Sequence, residues 1–146
     1  TPTKTTFETK VLGSTHSVAD LYLPSNCDIS VVGICVRYKK EIQIDKVFLE
    51  AKKTCEKLKC KILDKSEVIV YDEYIGSGYG EPTEGMIEAT KLLARKEAIL
   101  LDPVYSGKGF AGLIDLIKNK TFTKNDNVLF IHTGGVASLP AYEWAF

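Results

Sequence analysis

The chain has 146 residues, 45% hydrophobic and 26% charged, which is enough apolar content for one globular domain with a sizeable core and too much for a disordered tail. Lys plus Arg and Asp plus Glu number 19 each, and neither sign forms a long block, which excludes the electrostatic footprint of a nucleic-acid or anionic-membrane binder. No run is long and apolar enough for a membrane span, and residues 1–10 lack the apolar centre of a signal peptide.

Thr1 stands where an initiator methionine would, so the chain is expected to begin after a processing event or a cut. Gly13-Ser14-Thr15-His16 then precedes an apolar stretch at residues 18–23. A Gly-Ser-Thr turn that opens a helix offers backbone N–H groups and hydroxyls to a phosphate, with the helix dipole adding to the attraction. Taken alone, such a run is more often a plain turn.

Residues 29–36 (ISVVGICV) form a continuous apolar run rich in β-branched side chains, the pattern of a strand buried on both faces. Over residues 43–59, Ile44, Val47, Phe48, Ala51, Cys55 and Leu58 recur at helical spacing. Val68 to Tyr71 predicts a second strand, Gly76-Ser77-Gly78-Tyr79-Gly80 a loop, and Thr83 the N-cap of a helix that carries Met86, Ile87, Ala89, Thr90, Leu93 and Ala94. Ala98 to Leu101 predicts a third strand, residues 108–119 a third helix, and residues 127–132 (NVLFIH) a fourth strand leading to Gly134-Gly135. Apolar strands alternating with helices predict an α/β fold, a three-layer αβα arrangement around a mostly parallel sheet. Ligands of such sheets sit beyond the carboxyl ends of the strands, so the loops that begin at Asp72, Asp102 and His132 are the ones to inspect.

Cys27, Cys35, Cys55 and Cys60 include no Cys-x-x-Cys pair, and only two histidines could join them, which argues against a zinc site; no metal is expected. With Cys35 in an apolar run and Cys55 on a helix, the four read as reduced thiols of a cytosolic protein. Tyr79 and Tyr105, taken singly, read as half-buried packing residues, and His132 as a buried hydrogen-bonding residue at a strand end.

Taken together, the loops resemble a known family. GSTH, SGYGEPTEGMIEATKLLA, ILLDPVYSGKGFAGLIDLI and NVLFIHTGG follow one another from Gly13 to Tyr142 in the order of the signature segments of D-cysteine desulfhydrases and 1-aminocyclopropane-1-carboxylate (ACC) deaminases. The resemblance implies a fold-type-II, tryptophan synthase β-like enzyme dependent on pyridoxal 5′-phosphate, with this chain as its C-terminal, cofactor-facing part in one domain. It implies that Gly13, Ser14, Thr15 and His16 grip the cofactor phosphate, that Thr133 approaches the pyridine nitrogen, and that Ser106 and Gly134 belong to the cofactor site. Tyr79 and Tyr105 match the family's two active-site tyrosines, which flank the substrate and take part in proton transfer. Lys108 matches a lysine at a helix start, not the Schiff-base lysine. ACC deaminases carry Glu at the position of Ser106 and Leu at that of Thr133; the small hydroxyl residues here match the desulfhydrases, which turn D-cysteine into pyruvate, sulfide and ammonia.

Members of that family are considerably longer, and their Schiff-base lysine and substrate-carboxylate residues lie in an N-terminal half with no counterpart here. The chain alone is therefore expected to be inactive, either as part of a homodimeric cytoplasmic or organellar enzyme acting on a small amino acid, or as a structural or interaction subunit of a larger assembly. Ser17 and Val18 replace the small Ala-Gly pair usual after GSTH, a departure that bears on the phosphate loop and favours the second reading.

Overall fold

The computed structural model describes residues 9–14 and 29–146. The β-branched run becomes strand β2 (Ile29–Ile34), at the interior of a four-stranded sheet. Strand β1 (Thr9–Ser14) lies beside it in parallel, with Val11 opposite Val31, and β3 (Ile69–Tyr71) flanks its other side, with Val32 opposite Ile69. Strand β4 (Asn127–Phe130) pairs in parallel with β1, giving the order β3-β2-β1-β4.

Side chains alternate across a strand, so β2 serves two cores at once. Val31 and Cys35 enter the core formed with Val70 and with Val47, Ala51 and Cys55 of helix α1 (Lys40–Leu58). Val32 and Ile34 enter the opposite core with Leu12, Phe122 and Leu113 and Leu116 of helix α3 (Ser106–Lys118). Helix α2 (Glu84–Glu97) packs along α3, and Thr83 caps it as expected, its hydroxyl accepting from the Met86 N–H at 3.2 Å. The three-layer αβα arrangement with a parallel sheet is thus the observed one.

Helix α3 lies very close to the sheet because two of its positions lack a side chain. A Cβ on Gly112 would stand 2.7 Å from Ile34 Cδ1, and one on Gly109 would stand 3.3 Å from the Ser14 nitrogen at the end of β1.

Some sequence expectations need correction. Strand β1 was not foreseen, since Val11 and Leu12 are its only large apolar residues. Ala98 to Leu101 is not a strand: the chain enters it through Ala98 in the left-handed region at φ 56°, and the Leu100 carbonyl meets the His132 ring at 2.8 Å instead of a strand N–H. Four apolar residues suit a strand, but no described segment supplies the ladder. Helices α1 and α3 begin at Lys40 and Ser106, before the expected starts, and Val136–Ala145 forms helical turns that Pro140 obscured in the sequence. Thr15, His16, Ser17, Val18, the helix expected at residues 18–23 and Cys27 lie outside the described residues. Among the described residues no helix is long and apolar enough to cross a membrane.

Candidate active site

Because the four strands run in parallel, their carboxyl ends share one edge. There β1 ends on Gly13 and Ser14, both buried; β3 leads into the loop carrying Tyr79, and β4 into His132, Thr133 and Gly134. The turn from Asp102 to Ser106 is wedged among them. Gly135, at φ 90°, lies so close to it that a Cβ would stand 2.8 Å from Asp102 Cβ.

Tyr79 and Tyr105 are brought together. Their hydroxyls share a hydrogen bond, and their rings meet edge to face with centroids 6.0 Å apart. Tyr79 is exposed and Tyr105 half-buried. The bond to Tyr79, followed by desolvation, pushes the Tyr105 phenol up to about 12, which makes it a weaker acid than an ordinary phenol. The Arg37 guanidinium lies 5.2 Å from the centre of the Tyr79 ring and 5.1 Å from that of Tyr38, and the place of a Cβ on Gly80 is 3.3 Å from the Tyr142 hydroxyl. Arg37 and Tyr142 were not singled out in the sequence, where no loop motif marks them.

The turn bearing Tyr105 is built around one carboxylate. Asp102 Oδ1 accepts from the N–H groups of Val104 and Tyr105 at 2.9 and 2.7 Å, and Oδ2 accepts from the Ser106 N–H at 2.7 Å and from the Ser106 hydroxyl. That hydroxyl in turn accepts from the Asp102 N–H at 2.8 Å. Asp102 and Ser106 are each only 2% exposed, so Ser106 enters the site through the shape of this turn. An Asp followed by Pro and a turn is an Asx-turn signal that could have marked Asp102 as the organiser.

His132 corrects an expectation in one respect: it is exposed, although hydrogen-bonded as foreseen. Its Nδ1 accepts from the Gly134 N–H at 2.9 Å, which assigns the ring proton to Nε2 for donation to the Leu100 carbonyl at 2.8 Å. The imidazole thereby fixes the path of the chain through Thr133, an exposed residue, and Gly134. Lys108 is the third residue of α3, as the reading of a helix start implied, and it is fully buried.

Comparison with known proteins agrees with this architecture. The family described as pyridoxal-phosphate dependent enzyme matches residues 20–134. A D-cysteine desulfhydrase of Klebsiella pneumoniae subsp. pneumoniae is 43% identical over 113 residues, which cover 77% of this chain and 34% of that protein. A crystal structure of an ACC deaminase homologue superposes with a TM-score of 0.81 at 32% identity, over 99% of this chain and 45% of that one. The chain thus spans about a third of the curated relative and under half of the structural one.

Proposed function

The chain belongs to the pyridoxal-phosphate dependent enzyme family, and from that premise we propose that it is the C-terminal, cofactor-facing domain of a lyase that converts D-cysteine and water to pyruvate, sulfide and ammonia. The observation that carries the reading is the meeting of the Tyr79 and Tyr105 hydroxyls at the carboxyl edge of the sheet, the edge at which β1 ends on Ser14 and β4 leads toward Thr133.

The donor set suits the cofactor. Gly13 and Ser14 end strand β1 opposite Gly33 and Ile34 and not in a turn as expected, so a phosphate would be held where the Gly-Ser-Thr-His run leaves the strand, and Gly109 keeps α3 from pressing a side chain on Ser14. The Thr133 hydroxyl, with Gly134 beside it, is a neutral partner for the pyridine nitrogen. The carboxylate of the adjoining turn, Asp102, is held by four hydrogen bonds to its own turn. A hydroxyl leaves the nitrogen uncharged, whereas a carboxylate would keep it protonated.

When bound, pyridoxal phosphate draws electrons away from the substrate Cα and so eases loss of its proton and of the β-substituent. Within this chain, the tyrosine pair orients the substrate and passes a proton from phenol oxygen to the departing sulfur, the phenol being restored from solvent, to which Tyr79 is exposed. Ser106 keeps Tyr105 in place through Asp102. The complete protein supplies the Schiff-base lysine and the residues for the substrate carboxylate, and is read as a cytoplasmic homodimer that acts on a small amino acid.

The test is turnover by the full-length protein, with sulfide and pyruvate release from D-cysteine set against ammonia release from aminocyclopropane carboxylate. Faster turnover of D-cysteine supports the reading. Faster opening of the cyclopropane would make the protein a deaminase, and turnover of neither would make it a non-catalytic subunit on this fold.

A further inference from the structure

Lys108 is 0% exposed, yet it is a lysine in a place where a leucine or methionine would pack without desolvating a charge. Its Nζ donates to the Ile75 carbonyl at 2.6 Å and to the Gly78 carbonyl at 3.1 Å. Both acceptors belong to the loop that carries Tyr79, and Gly78 immediately precedes it. The other end of the side chain is anchored in the first turn of α3, whose Gly109 N–H bonds back to the Tyr105 carbonyl at 2.9 Å. One side chain therefore joins the backbone beside Tyr105 to the backbone beside Tyr79.

We infer that Lys108 is a positioning residue, clamping the Tyr79 loop onto the start of α3 so that the Tyr79 and Tyr105 hydroxyls meet. Burial pushes its ammonium group down in pKa, opposed by the Glu81 carboxylate, and the two carbonyls return part of the lost hydration. An apolar side chain would fill the volume but leave the loop carbonyls without their donor. The inference extends the proposed role of the tyrosine pair, but it concerns the geometry of the pair and is tested without turnover.

The experiment uses full-length protein labelled with [13Cζ]tyrosine, the Tyr79 and Tyr105 resonances being assigned from Tyr79→Phe and Tyr105→Phe. Tyr105 is surrounded by Tyr79 and Asp102, which raise its pKa, and by Arg37, which lowers it. Loss of a cation in the vicinity would by simple electrostatics raise it further. The clamp predicts the opposite sign: in Lys108→Met, Tyr105 titrates at lower pH than in the wild type, as it does in Tyr79→Phe. Combining Lys108→Met with Tyr79→Phe then moves it no further, and Lys108→Arg, which keeps donors on a cation, lies nearer the wild type. An unchanged or raised Tyr105 pKa in Lys108→Met overturns the inference, as does a downward shift that persists when Tyr79 is already Phe. If Lys108→Met does not fold, Lys108→Gln, with an amide donor on a shorter arm, is judged by the same outcomes.

Discussion

The hydroxyls of Tyr79 and Tyr105, 26 residues apart in sequence, share one hydrogen bond at the carboxyl edge of the sheet, and that bond is the largest cause of the raised Tyr105 pKa. The unfolded chain ionises this phenol near the ordinary value of 10.0, whereas the folded chain holds the proton to about 12. The unfolded state thus binds fewer protons in that window, and the contribution to stability, complete below pH 10, is lost as pH rises toward 12. Urea unfolding at several alkaline pH values should show a shallower decline for Tyr79→Phe than for the wild type. Equal slopes would mean that the bond does not set the titration.

Cys35 offers a second use of pH. Burial, with Asp72 and Glu73 adding to it and Lys40 and Lys39 opposing it, pushes this thiol up to about 12. Only the thiolate attacks alkylating reagents. Iodoacetamide at pH 8 should leave Cys35 unlabelled in the native protein and label it after denaturation, as read by mass spectrometry of its peptide. Native labelling at a rate like that of free cysteine would show that the end of β2 opens.

Close packing of α3 against β2 predicts a paired effect. Gly112→Ala puts a Cβ 2.7 Å from Ile34 Cδ1, and overpacking of this kind costs about 1–3 kcal/mol. Ile34→Val deletes that Cδ1 atom. In the Gly112→Ala background it should cost less than it does alone, a coupling that a double-mutant cycle in urea measures.

Much of this fold is legible in the sequence because the signals are local. The apolar β-branched run of β2, the helical spacing of α1 and the Thr83 cap each depend on residues within a few positions of one another. Strand β1 and the segment at residues 98–101 went the other way, since a strand exists only where a neighbour supplies its ladder, and that neighbour is distant in sequence. The same division runs through the site. Glycine and hydroxyl composition marked the loops of Tyr79, Tyr105 and Thr133, whereas the Arg37 stacking and the Lys108 clamp arise from contacts 42 and 33 residues apart, Arg37 reaching Tyr79 and Lys108 reaching Ile75.

Thr133 gives the prediction closest to the chemistry. On the proposed reading, Thr133→Ala in the full-length protein would remove the neutral hydrogen bond to the pyridine nitrogen, worth about 0.5–1.5 kcal/mol. Cofactor binding should persist, and turnover of D-cysteine should fall by about tenfold if the bond acts in the transition state. Steady-state kinetics with the cofactor saturating would check it; wild-type rates would remove Thr133 from the site.

The central claim is that the loops at the carboxyl edge of the sheet hold pyridoxal phosphate, and a crystal structure of the full-length protein grown with that cofactor tests it most directly. The account predicts phosphate density against residues 13–16, the pyridine nitrogen beside the Thr133 hydroxyl, and the Tyr79 and Tyr105 hydroxyls bordering the space left for the substrate. Cofactor density at another place on the protein, with these loops empty, would contradict it.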